Sequence, residues 1–149
     1  MSYKNPENGI VDYDNMAEAL TGVRINRALY HKASDEIYLV SDDGVIKLRP
    51  YGDCCAHCYV QHIALAFALQ GATIASVEGI SGTHTDNDEF IVSDTWGHRI
   101  TTNRGVCSIE MRVDHNGYYG GELRATFYPT GYTGEWAPDL EGAAELEDF

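Results

Sequence analysis

Tyr51-Gly52-Asp53-Cys54-Cys55-Ala56-His57-Cys58-Tyr59-Val60-Gln61-His62 and its continuation to Gly71 form the stretch on which the fold class turns. Cys55, Tyr59, Ile63 and Phe67 recur every four residues, and Val60 and Ala64 widen the same apolar face, as on an amphipathic helix. Asp53 stands where an N-cap is wanted, with its carboxylate ready to accept from the first-turn N–H groups and to meet the positive end of the helix dipole. Gly71 is a natural stop. The stretch therefore predicts a helix from Cys54 or Cys55 to Leu69, the longest in the chain.

Working outward, the flanks read as strands. Glu36–Val40 and Val45–Arg49 surround Ser41-Asp42-Asp43-Gly44, a hairpin signal, and Pro50 is expected to end the second strand. Downstream, Ala72–Glu78, Glu89–Thr95, His98–Thr102, Val106–Val113 and Glu122–Tyr128 are expected strands, and Ser81–Asp88 is an expected polar loop. Asn116-Gly117 suits the positive φ of a tight turn between the last two strands. Upstream, residues 1–13 read as a weakly ordered lead-in, and Asp14 or Asn15 can cap a short helix over Met16–Leu20 that stops at Gly22. The expected fold is α+β: a mostly antiparallel sheet of about seven strands packed against one main helix. A single domain is assigned to residues 1–136 and an acidic tail to residues 137–149. That tail has too little apolar surface to offset the entropy of ordering it, so it is expected to be mobile, with Leu146 and Phe149 as anchors if it docks on a partner or a second copy.

Composition narrows the function classes. The chain has 149 residues and a formal charge of -13. An acidic surface of that size argues against a nonspecific nucleic-acid or anionic-membrane surface and permits a basic protein partner. No apolar run is long enough to span a bilayer, and Met1–Glu7 is too polar for a secretory signal. The four cysteines are read as reduced thiols in a cytoplasmic compartment.

Three short motifs carry a family resemblance: Gly52-Asp53-Cys54-Cys55, Gly71-Ala72-Thr73 and Asn116-Gly117-Tyr118-Tyr119-Gly120-Gly121. In their order and spacing over residues 19–128 the chain resembles a domain-of-unknown-function family of viruses infecting actinobacteria and of some bacteria. The resemblance implies a viral origin and an α+β domain. It brings no reaction, cofactor or catalytic residue. Where the relatives more often carry Ser and then Trp after Cys-Cys, this chain has Ala56-His57-Cys58-Tyr59.

Several constellations could carry chemistry. On a helix, Cys54, Cys58 and His62 would lie one turn apart, as zinc ligands could, although no second ligand pair follows and no metal is expected. Cys54 or Cys55 at a helix start would be a dipole-stabilised nucleophile, with His57 or His98 as base and Asp53 or Asp94 to orient it. The plainer reading of these residues is core thiols and solvated histidines. Trp96 and Arg99 could supply an aromatic wall and a cation, and Tyr118 and Tyr119 a stacking surface, against a plain reading of sheet packing. No cofactor is implied.

Taken together, these features lead to the expectation of a viral accessory protein that binds a host protein in the host cytoplasm, with no nucleic-acid or membrane contact and with homo-oligomerisation left open. One alternative is an enzyme or small-ligand-binding protein using the cysteine/histidine site at the helix start. The other is a minor virion component.

Overall fold

The computed structural model describes residues 8–53, 56–86, 91–116 and 120–149, and the backbone of residues 3–4. The expected main helix is absent. Residues His57–Ala64 form a strand, and among the described residues the one α-helix, α1 (Met16–Leu20), has 5 residues. The fold is two antiparallel sheets rather than α+β.

The larger sheet contains β1 (Tyr3–Lys4), β2 (Val11–Asp12), β3 (Arg27–His31), β4 (Glu36–Val40), β5 (Gly44–Gly52), β10 (Gly121–Pro129) and β11 (Ala144–Glu145). Its spatial order is β1-β2-β10-β5-β4-β3-β11. The smaller sheet contains β6 (His57–Ala64), β7 (Ile74–Asp86), β8 (Val92–Thr102) and β9 (Gly105–His115), in the order β6-β9-β8-β7. Ile37, Leu39, Ile46, Leu48, Leu123 and Ala125 of the larger sheet share one core with Val60, Ile63, Ile74, Ile100, Cys107, Ile109 and Met111 of the smaller. The inner faces of both sheets thus bury one apolar layer, the arrangement of a β-sandwich.

The misleading periodicity has a local cause. β6 pairs with β9 from His57↔Asp114 to Ala64↔Ser108, with a bulge between Val60 and His62. The extra residue, Gln61, lengthens the spacing of the inward residues Val60 and Ile63 from two to three. A spacing of three is also what a helical face presents. Tyr59, Val60 and Ile63 favour the strand intrinsically, and β9 supplies the partner that decides it. Only Ala66–Leu69 is helical, as one 3₁₀ turn entered through Leu65 at φ 59°.

Asp53 accordingly caps no helix. Its N–H donates to the Gly120 carbonyl at 2.9 Å, and its carboxylate accepts from the Gly120 N–H at 3.0 Å. It ties the end of β5 to the start of β10. Other boundaries shift too. β5 runs through Pro50 to Gly52, because β4 pairs no further than Leu48 and a proline is tolerated where only one side is paired. The stretch expected to be a polar loop continues β7 to Asp86. The two strands expected over residues 89–102 are, where described, the single strand β8. α1 forms as anticipated, with Asn15 Oδ1 accepting from the Glu18 N–H at 2.8 Å and Gly22 at φ 84°. The turn geometry at Gly117 lies outside the described residues.

The acidic tail is built into the fold. β11 extends the larger sheet beside β3, and the Leu146 N–H donates to the Ala28 carbonyl at 2.9 Å. Leu146 is 3% exposed within the common core. Phe149 then exchanges backbone hydrogen bonds with Ile63 of β6, at 3.0 and 3.2 Å. The Asp148 carboxylate accepts from the N–H groups of Leu65 and Ala66. The tail therefore joins the edge of one sheet to the edge of the other, with Leu146 in this chain's own core and Phe149 held through its backbone.

Candidate functional site

The cysteine/histidine site expected at a helix start is dispersed once that helix becomes a strand. Cys54 and Cys55 lie outside the described residues. His57 is exposed, with its ring 5.0 Å from that of Tyr59. Cys58 is half-buried against Glu122, and burial pushes its thiol up to about 11, so it is a neutral thiol at physiological pH. His62 is exposed, with Nδ1 3.3 Å from the Phe149 carbonyl oxygen. Four residues along a strand span about 13 Å, against about 6 Å along a helix, so Cys58 and His62 do not converge. Among the described residues no group of three or more His, Cys, Asp or Glu side chains is placed to hold a metal ion.

The remaining sequence candidates also separate. Trp96 packs on the common core, whereas Arg99 is exposed and pairs with Glu78 at 2.7 Å. His98 is half-buried, and that burial lowers its pKa. Asp94 does orient histidines, but they are His84 and His115 rather than His57 or His98. Burial opposes ionisation of Asp94, and the hydrogen bonds from His115 and His84 outweigh it, holding the carboxyl below its usual range. Tyr118 and Tyr119 lie outside the described residues.

What the fold does assemble lies on the outer face of the larger sheet. Strand alternation sends Ile46 and Leu48 into the core and leaves Lys47, Arg49 and Tyr51 on the other side of β5. The same alternation sends Leu123 and Ala125 of β10 inward and leaves Arg124, Thr126 and Tyr128 outward. The register sets Arg124 opposite Arg49 and Thr126 opposite Lys47. Tyr132, Glu135 and Trp136 close one side, and Ile10 and Asp12 the other, around a cleft of about 510 Å³.

The cleft gathers opposite charges in a chain of formal charge -13. Lys47, Arg49 and Arg124 line it with Asp12 and Glu135, and Glu36 and Glu122 pair with the three cations. Arg49 lies 5.0 Å from the Tyr51 ring centre and 5.4 Å from that of Trp136. Arg124 lies 4.2 Å from the Tyr51 ring centre. Such cation–π contacts hold guanidinium planes without using up their N–H donors. Beneath them, buried Glu36 sits 3.7 Å from both Lys47 Nζ and Arg49 Nε, and it accepts from the Tyr38 hydroxyl at 2.7 Å. Lys47 also donates to the Trp136 carbonyl at 2.8 Å, and burial lowers its pKa. Arg124 Nε donates to Glu122. Among the described residues, the Nη groups of Arg49 and Arg124 have no hydrogen-bonding acceptor in the protein.

The cleft continues into a smaller depression lined by Tyr51, Gly52, Asp53, Gly120, Gly121, Glu122 and Arg124. Here the Gly-Asp-Cys-Cys motif meets the end of the Asn-Gly-Tyr-Tyr-Gly-Gly motif, with Gly52 paired to Gly121. A Cβ on Gly121 would lie 2.8 Å from Cys58 Sγ, and one on Gly52 would lie 2.6 Å from the Ala56 carbonyl oxygen. Gly52 is therefore required by close backbone approach, and Gly121 leaves the room that the Cys58 side chain fills.

A family model described as a domain of unknown function, DUF7448, matches residues 16–125. The chain belongs to this family. The matched stretch runs from α1 into β10 and includes Lys47, Arg49, Tyr51 and Arg124. Asp12, Thr126, Tyr128, Tyr132, Glu135 and Trp136 lie beyond it. Neither the curated proteins nor the solved structures give a match. Among the described residues no helix is long and apolar enough to cross a membrane.

Sequence reasoning passed over this cleft although its signal was present. Lys47 and Arg49 alternate on one expected strand, and Arg124, Thr126 and Tyr128 on another, whereas Tyr51 lies past the expected strand end at Pro50. The missing information was that β5 and β10, far apart in the sequence, lie side by side.

Proposed function

We propose that this DUF7448 protein works by recognition and that the outer-face cleft is its binding site, taking an anionic group between Arg49 and Arg124. The carrying observation is the cross-strand pairing of those two arginines. Like charges directly opposite destabilise a sheet; Glu36 and Glu122 offset this at the Nε groups, and an anion held by the Nη groups offsets it further. The surrounding chemistry supports binding more than proton transfer: a guanidinium stays protonated throughout the physiological range, and Trp136 has no ionisable group. Burial also pushes Tyr128 up to about 12. Arg, Trp and Tyr are the residue types that dominate binding energy at recognition surfaces.

In this reading the protein is a viral accessory protein acting in the host cytoplasm, a setting supported by the motif resemblance and the small acidic chain. The net charge of -13 opposes the approach of a broadly acidic surface, which favours a small anionic ligand. Titration of phosphate, sulfate and benzoate, followed by amide chemical shifts, tests the site. Saturable shifts centred on Lys47–Tyr51 and Arg124–Tyr128, weakened by added salt, are expected. Small non-saturating shifts spread over the molecule would refute it.

A host protein is the second reading, favoured by the Leu65–Phe67 knuckle. Leu65 and Phe67 are 49% and 55% exposed, and Asp148 holds the turn through its bonds to Leu65 and Ala66. An apolar tip beside a carboxylate suits a partner whose apolar pocket has a basic rim. The virion-component reading loses its docking tail, because Leu146 and the Phe149 backbone are already engaged within the chain.

A further inference from the structure

We propose that the ligand of the cleft is a nucleoside monophosphate; this rests on the recognition role assigned to the cleft above. Size comes first. About 510 Å³ lies within the range of small-molecule sites and is far more than a bare phosphate or carboxylate fills. It leaves room for a base and a sugar beside one phosphate.

The two ends of such a molecule find different walls. Arg49 and Arg124 face each other across β5 and β10, and among the described residues each has only its Nε within reach of a carboxylate. Their Nη edges can form the paired N–H···O contacts that guanidinium makes with phosphate oxygens. A phosphate monoester carries close to two negative charges at pH 7 and three acceptor oxygens for the Nη edges that Glu36 and Glu122 leave open. Beside them, Tyr51 is covered by both arginines and Tyr128 is buried under Lys47, whereas Trp136 is 61% exposed and offers the open aromatic face. Flat aromatic faces stack on a nucleobase, whatever its identity.

The carboxylates narrow the class further. Asp12 and Glu135 can accept from sugar hydroxyls or an exocyclic amine, groups that a simple aromatic phosphate lacks. They also repel a second or third phosphate. Lys47 adds little free charge, since it is engaged by Glu36 and the Trp136 carbonyl. A polynucleotide is disfavoured by the acidity of the whole chain.

The test titrates the 5′-monophosphates of adenosine, guanosine, cytidine and uridine into the full chain. Each nucleoside, inorganic phosphate and phenyl phosphate are run in parallel, read by calorimetry and amide shifts. At least one nucleotide is expected to saturate with shifts at Lys47–Tyr51 and Arg124–Tyr128. It should bind at least tenfold tighter than its nucleoside, inorganic phosphate or phenyl phosphate. Arg49→Gln and the more exposed Arg124→Gln should each weaken it tenfold or more and weaken the nucleoside by much less. Trp136→Ala should weaken nucleotide and nucleoside together and spare inorganic phosphate. If no nucleotide exceeds inorganic phosphate, or if phenyl phosphate equals the best nucleotide, the nucleotide assignment is overturned while anion recognition stands. Absence of saturable binding by any probe overturns both.

Discussion

Replacing Leu146 by Ala isolates the claim that the C-terminal segment belongs to the core. Leu146 is 3% exposed and packs in the layer shared by both sheets, held in place by its N–H bond to Ala28. The substitution keeps the backbone bond and removes only the buried side chain beyond Cβ. Truncating a buried leucine to alanine costs about 2–5 kcal/mol, the transfer loss plus the cavity left behind. For a chain of this length that corresponds to about 4–20 °C in melting temperature, at about 2–4 °C per kcal/mol. Leu140, only six residues earlier, is 39% exposed, and Leu140→Ala is expected to change stability by no more than about 0.5 kcal/mol. Urea denaturation of both variants and the parent, with a common slope, gives the comparison directly. If Leu146→Ala unfolds within about 0.5 kcal/mol of the parent, the segment does not contribute to the core, and the closure of the two sheet edges by the chain end is refuted.

Two further outcomes follow from the described geometry. Asp53→Ala should destabilise by about 0.5–1.5 kcal/mol and speed hydrogen exchange at the Gly120 amide, while Asp53→Asn, which keeps an acceptor, loses less; an unchanged Gly120 exchange rate would reject the strand-end tie. Cys58 and Cys107 are free thiols pushed up by burial to about 11 and about 12, so stability is full below the unfolded thiol pKa and falls as the pH rises toward those values. Native labelling with N-ethylmaleimide at pH 7.5 should leave Cys107 unmodified until the protein is denatured, and rapid native modification of Cys107 would contradict its burial.

Much of the strand content was legible in the sequence because it rests on local patterns. The Glu36–Val40 strand, the turn after it, the short helix at Met16–Leu20 with its Asn15 cap, and the late strands all follow from alternation, turn residues and capping chemistry. The stretch from Cys54 to Leu69 was not legible in this way. Its apolar spacing suits a helix face, and equally a strand carrying a bulge at Gln61, and only the neighbouring β9 decides between them. The tail misled for a related reason: alone it buries too little to order itself, but the open edges of β3 and β6 offer it hydrogen-bond partners and a place for Leu146.

The cleft marks the same division. Local pattern places Lys47 and Arg49 on one side of a strand and Arg124, Thr126 and Tyr128 on one side of another, because side-chain direction in a strand has a fixed period of two. That these strands are neighbours, that Arg49 and Arg124 stand opposite each other, and that Trp136 returns to stack on Arg49 is settled by the tertiary structure alone. Pairing between distant strands depends on which edges remain free after the core is filled, a property of the whole chain that no local pattern carries.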